Sequence, residues 1–292
     1  MQARAMCWKN GELMPAAEAT VSVYDHGLLY GDGVFEGIRF YHGAPFRLEA
    51  HLARLFCSAR AISLHIPFDE RALATAVRRT IEASGIRDGY VRLIVTRGRG
   101  PLGLDVAACE RPTVLVIVDA LCMADGEIRQ RGARLIVSAI RRARPDMLDA
   151  RIKSLNYLGS VLARIEAARQ GADEAVLLNA CGYVAEGSAD NIFIVRDGAL
   201  ATPPVTDGAL EGVTRGVVME LAEVAGIPCR EASLAPYDLY TADGCFLCGT
   251  GAELILVREV DGRELPSAGE AVFRVIESAF RDLIRRECGR RA

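Results

Sequence analysis

Strand-like and helix-like periodicities interleave along the whole chain, and this narrows the fold more than any other feature. Residues 34–41 (Val-Phe-Glu-Gly-Ile-Arg-Phe-Tyr), 90–96 and 113–118 are strand-length runs rich in β-branched and aromatic side chains. Residues 20–24 alternate and predict a further strand. Leu48, Leu52, Leu55, Phe56, Ala59 and Ile62 recur at helical spacing, and a second helix is expected over 69–84, with Asp69 as its cap and Gly85 as its stop. Beyond residue 131, strands at 133–140, 174–179, 191–195, 245–247 and 254–257 alternate with helices over 157–170, 214–225 and 269–287. Short turns between neighbouring strands favour antiparallel pairing, so the class is mixed α and β rather than a plain βαβ series. The weakly periodic stretch 121–131 is the candidate linker between a smaller N-terminal α/β domain (1–120) and a larger C-terminal domain (132–292).

Charge narrows the partners. Across 292 residues, 35 basic side chains face 38 acidic ones, a net charge of -3, without the basic excess of a nucleic-acid binder. No apolar run approaches the roughly 18 residues that span a bilayer. The first residues lack the apolar core of a secretory signal, which points to the cytoplasm. The nine cysteines, an odd number, read as reduced thiols. Cys245 and Cys248 form a C-x-x-C inside a strand-like run and read as packed thiols; no second pair completes a zinc site. His26, His42, His51 and His65 lack ligand-like spacing, so no metal is expected.

Lysine is the informative residue. The only two are Lys9, in a turn-like Trp-Lys-Asn-Gly, and Lys153, in Ala-Arg-Ile-Lys-Ser-Leu-Asn-Tyr. Arginine cannot replace lysine as an amine nucleophile. For that role the pKa of Lys153 must fall, and Ile152, Leu155 and Leu158 supply apolar neighbours; on the local residues alone a lysine snorkelling to the surface reads slightly better. Gly212-Val213-Thr214 opens a helix and Gly249-Thr250-Gly251 follows a strand; both offer N–H groups to an anion, and both also suit ordinary capping and turn chemistry. Arg54 lies near the apolar stripe of its helix, within reach of a phosphate or of solvent. Glu186, among small and apolar residues, needs a cationic or N–H partner unless it sits in a surface turn. Neither a P-loop nor a dinucleotide fingerprint is present, and no Ser-His-Asp logic assembles.

Six runs taken together are specific. Residues 30–39 (Tyr-Gly-Asp-Gly-Val-Phe-Glu-Gly-Ile-Arg), 46–55, 151–158, 182–191, 210–216 and 249–253 occur in order over nearly the whole chain. The set resembles the fold-type IV pyridoxal 5′-phosphate (PLP) aminotransferases, specifically the branched-chain amino acid aminotransferases. That resemblance implies a two-domain fold like that of D-amino acid aminotransferase, and a homodimer or higher homo-oligomer with composite active sites. By the resemblance, Lys153 forms the internal aldimine with PLP and shuttles the proton between Cα and C4′. Glu186 pairs with the pyridine nitrogen and Tyr157 with the phenolic oxygen. Arg54, Val213, Thr214 and Thr250 form the phosphate cup. On the substrate side it implies Tyr30 (reaching across from the partner subunit), Phe35, Gly37, Arg39, Tyr90, Arg92, Thr250 and Gly251.

The implied reaction is ping-pong transamination of leucine, isoleucine and valine with 2-oxoglutarate. D-Amino acid and (R)-amine transaminases share the scaffold. Their Arg-and-His pair, however, is missing from the loop Thr96-Arg-Gly-Arg-Gly-Pro-Leu-Gly-Leu-Asp105, and Phe35 stands where they tend to carry tyrosine. Aminodeoxychorismate lyases depart at Phe-Glu-Gly-Ile-Arg, which is intact here. A PLP-binding protein without turnover is the reading from outside the enzymes.

Overall fold

The computed structural model describes residues 4–120 and 126–289. The chain forms two compact units: Met1–Cys122 with Ile152–Asn156 and Ile284–Ala292, and Met123–Arg151 with Tyr157–Leu283. Lys153 therefore packs with the first unit, whereas the sequence reading placed it in the C-terminal domain. Residues 121–125 of the expected linker lie outside the described residues.

In the first unit, β1 (Met6–Lys9), β2 (Glu12–Pro15), β3 (Gly33–Tyr41), β4 (Ala44–Pro45), β5 (Gly89–Thr96) and β6 (Thr113–Asp119) form one sheet in the order β2-β1-β6-β5-β3-β4. Every pairing is antiparallel. The helices are α1 (His26–Tyr30), α2 (Leu48–Ala61) and α3 (Glu70–Ser84). Alternate residues of the central strands (Val34, Ile38 and Phe40; Val91, Leu93 and Val95; Val114, Val116 and Val118) are buried in one core with Leu48, Leu52 and Leu55 of α2 and Leu73, Val77 and Ile81 of α3. The Asp69 carboxylate accepts from the Ala72 N–H and Gly85 closes α3 at φ 67°, a left-handed conformation that glycine adopts without steric cost.

Two sequence expectations fail here. Residues 20–24 are not a strand. Val23 is 70% exposed and the Asp25 N–H donates to the Ser22 carbonyl in a turn, so the alternation found no neighbouring strand. Lys9 ends β1 rather than sitting in the turn, which begins at Asn10.

The second unit contains α4 (Gly126–Arg131), β7 (Ala133–Arg141), α5 (Pro145–Leu148), α6 (Leu158–Arg169), β8 (Glu174–Leu178), β9 (Val184–Gly187), β10 (Asn191–Arg196), β11 (Ala199–Thr202), α7 (Val213–Val224), β12 (Cys229–Glu231), α8 (Pro236–Tyr240), β13 (Gly244–Gly249), β14 (Glu253–Val260), β15 (Arg263–Glu264) and α9 (Glu270–Cys288), whose last residues belong to the first unit. The nine strands run β12-β11-β10-β13-β14-β7-β8-β9, with β15 on β14. Three pairings are parallel, beyond the antiparallel hairpins expected from the short turns: β11 with β12, β14 with β7, and β7 with β8. The last pair needs a crossover, and α6 supplies it, packing Ala163 and Ala167 against Ile136, Ala175 and Leu177.

Cys245 and Cys248 lie on β13 and are fully buried. Three positions apart on a strand, they point to opposite faces, and burial pushes both thiols up. They are free packed thiols, as the sequence reading expected. Among the described residues no group of three or more His, Cys, Asp and Glu side chains could hold a metal, and no helix is long and apolar enough to cross a membrane.

Candidate active site

The period of β3 divides its chemistry between two faces. Val34, Ile38 and Phe40 face the helices, so Phe35, Gly37 and Arg39 face the other way, opposite Ile94, Arg92 and Tyr90 of β5. Five residues named from the sequence on the substrate side thus share one face. A Cβ on Gly37 would lie 1.7 Å from the Tyr90 hydroxyl oxygen, so that hydroxyl fills the space a side chain would need. The Arg92 guanidinium carbon is 4.5 Å from the Phe35 ring centre and 5.4 Å from that of Tyr90. The Arg39 guanidinium lies 5.1 Å from the centre of the Tyr41 ring.

Lys153 joins this face through the backbone. Ser154 bridges Val34, the Phe35 N–H donates to the Lys153 carbonyl at 3.0 Å, and the Leu155 N–H donates to the Gly33 carbonyl at 3.0 Å. Residues 152–155 therefore line the edge of β3 and set Lys153 opposite Phe35. Its Nζ is 4.7 Å from the Phe35 ring centre. The Lys153 N–H donates to Ser58 Oγ of α2 at 3.1 Å.

Arg54 occupies the helix side. Its Nε donates to Glu36 Oε1 at 2.7 Å and its Nη2 to Glu36 Oε2 at 2.8 Å; His51 Nδ1 lies 2.7 Å from the same Oε2. Glu36 is fully buried and His51 is 1% exposed. Burial alone would raise the Glu36 carboxyl, but Arg54 and His51 outweigh it and hold the carboxyl at about 2. Burial lowers the His51 pKa, and because an ionised carboxylate only accepts, Nδ1–H is the donor to Glu36. Sequence reasoning missed both residues. The available signal was parity: Glu36 shares the core face with Val34 and Ile38, where a carboxylate requires partners.

The second unit carries the other named residues. Glu186, 3% exposed, stands on β9 opposite Leu177. It is bound by the Arg142 guanidinium, by Asn191 Nδ2 at 3.2 Å and by the Leu210 N–H at 3.1 Å. This buried carboxylate is no surface-turn residue. Asn191 Nδ2 also reaches the Leu210 carbonyl at 3.0 Å, tying Glu186 to the segment that opens α7. Val213 and the buried Thr214 begin α7, and no side chain caps that helix. Asn191 pairs with Cys248 across the sheet, so the turn holding Thr250 and Gly251, between β13 and β14, lies at the same end as Asn191. Tyr157 is half-buried at the start of α6. In the first unit, the Tyr30 hydroxyl accepts from the Gly103 N–H at 2.8 Å and its ring meets His26 edge-on. Arg142 and Asn191 had no assigned role at the level of sequence.

Residues 33–260 match the model of the class IV amino-transferases. The chain belongs to the class IV aminotransferases. A Methanocaldococcus jannaschii relative of this aminotransferase is 46% identical over 276 residues, 94% of each chain. The crystal structure of the branched-chain aminotransferase of Thermoproteus uzoniensis with norvaline superposes with a TM-score of 0.90 at 38% identity, covering 97% of this chain and 95% of that one. The PLP form of the Thermobaculum terrenum branched-chain amino acid aminotransferase gives 0.86 at 31% identity, covering 97% and 94%. These likenesses fix the fold-type IV architecture of this aminotransferase and its PLP cofactor. They do not favour the D-amino acid, (R)-amine or lyase alternatives.

Proposed function

We propose that this aminotransferase moves the amino group of L-leucine, L-isoleucine and L-valine to 2-oxoglutarate, in ping-pong fashion, with PLP as cofactor. The observation that carries the residue assignment is Lys153 on the same strand face as Phe35, Gly37, Arg39, Tyr90 and Arg92. The donor set suits PLP: an amine, a buried carboxylate already held by three donors, an uncapped helix start with a threonine hydroxyl, and a fixed guanidinium.

Bound PLP supplies an aldehyde for the substrate amine and a ring that accepts the electron pair left when the α-proton departs. Lys153 Nζ, as free amine, takes that proton and returns it as an acid. Glu186, kept in place by Arg142, Asn191 and the Leu210 N–H, accepts from the pyridine N–H. Tyr157 donates to the phenolic oxygen. Arg54, the Val213 and Thr214 N–H groups and the hydroxyls of Thr214 and Thr250 hold the phosphate. Phe35 and Tyr90 wall the apolar side of the substrate, while Arg39, Arg92 and the Thr250-Gly251 turn bind its carboxylates.

A homodimer in the cytoplasm completes the reading. Tyr30 is 38% exposed beside other exposed apolar residues, including Leu28 and Leu29, and this supports a partner surface from which it would reach the neighbouring site. Free thiols support a reducing compartment.

The test is a half-reaction scanned across L-leucine, L-isoleucine, L-valine, D-alanine and an (R)-arylamine, read as spectral conversion to the aminated cofactor. Conversion with the three L-amino acids is expected; D-alanine alone would overturn the substrate assignment. Lys153→Ala should slow turnover by at least about 10³-fold, and borohydride should fix the cofactor at position 153.

A further inference from the structure

Glu36, His51 and Arg54 form a hydrogen-bonded cluster on the helix side of β3. Arg54 presents its Nε–Nη2 edge to both oxygens of one carboxylate, at 2.7 and 2.8 Å, a fork that fixes the plane of the guanidinium as well as its position. Glu36 is itself fixed from two directions. Its backbone is locked in β3 opposite Leu93, and its Oε2 takes a second donor, His51 Nδ1, at 2.7 Å. His51 adds that donor from the same helix that carries Arg54, so the carboxylate is gripped by two side chains of α2. His51, Arg54 and Ser58 lie three and four residues apart and form one stripe of α2. Ser58 accepts the Lys153 N–H at 3.1 Å. A single helical stripe therefore sets both the guanidinium and the backbone of the reactive lysine.

We propose that Glu36 and His51 are positioning residues which orient the Arg54 guanidinium toward the phosphate of PLP. The proposal rests on the PLP reading above. In a purely structural cluster, losing a partner would weaken every ligand alike through general loosening. In a positioning cluster, the loss falls on the phosphate. Pyridoxal, the same aldehyde without the phosphate, tells the two apart.

The full-length chain, stripped of cofactor, is titrated with PLP and with pyridoxal by visible absorbance. The variants are Glu36→Gln, His51→Leu, His51→Asn and, as a reference, Arg54→Ala. Losing a hydrogen bond to a charged group corresponds to about a tenfold to hundredfold change in affinity. Glu36→Gln and His51→Leu are expected to weaken PLP by that factor while pyridoxal changes less than about twofold. His51→Asn, which keeps an N–H near the Nδ1 position, should recover most of the PLP affinity. If Glu36→Gln does not fold, judged by circular dichroism, the two His51 variants decide. An unchanged ratio of PLP to pyridoxal affinity in the folded variants would overturn the proposal, whether both affinities hold or fall together. If the parent chain binds neither aldehyde at Lys153, the PLP reading itself fails, and the proposal with it.

Discussion

A methyl group at position 37 would sit 1.7 Å from the Tyr90 hydroxyl oxygen and 2.6 Å from the ring carbon that bears it. Neither strand can give way, since Gly37 pairs with Arg92 and Arg39 with Tyr90 in an unbroken ladder. Gly37→Ala should therefore push the Tyr90 ring off its place. A roughly tenfold rise in KM for L-leucine is expected, with a stability loss of about 1–3 kcal/mol from overpacking. Steady-state kinetics and thermal melts check both, and the double variant with Tyr90→Phe should recover part of each. At this scale the sequence was partly legible. Lysine scarcity singled out Lys153, and the run Val-Phe-Glu-Gly-Ile-Arg located β3, the strand beside which the structure sets that lysine. The partners Glu36, His51 and Arg142 were hidden because their roles arise from side chains 15, 18 and 44 residues apart. Such pairings follow from the folded register, which local spacing does not encode.

Among the elements, α3 was readable from end to end because each signal is local: an Asp69 cap, an apolar stripe and a left-handed glycine stop. Asp69→Ala removes the acceptor for the Ala72 N–H and should cost about 1 kcal/mol. A melting-temperature drop of about 2–4 °C is the expected readout, with PLP affinity within about twofold of the parent. Strands were less legible. β9 is four buried residues in a row, so no alternation marks it, yet it carries Glu186. Residues 20–24 alternate well and form no strand, because pairing needs a neighbour that sequence does not announce. The crossover α6 was expected as a helix, but the parallel partnership of β7 and β8 depends on where that helix returns the chain.

For the molecule as a whole, the exposed apolar side chains of the first unit set an expectation for assembly. Val23, Leu28, Leu102 and Leu104 are 66–79% exposed, and apolar side chains left to water are candidates for burial against a partner. With the dimer proposed above, the double variant Leu102→Asp and Leu104→Asp should shift the sedimenting species at micromolar concentration from dimer toward monomer. Activity should fall with the dimer fraction.

The excursion of residues 152–156 into the first unit has an implication for how such a chain can be cut or recombined. A fragment ending at residue 122 would lack the hydrogen bonds that Phe35 and Leu155 make along the margin of β3. It would also leave a raw strand border on β3. The gene therefore cannot be divided into two exchangeable modules at the obvious seam. A chimera that swaps the N-terminal portion between relatives must bring along a compatible five-residue tongue from much later in the reading frame, and that tongue carries Lys153.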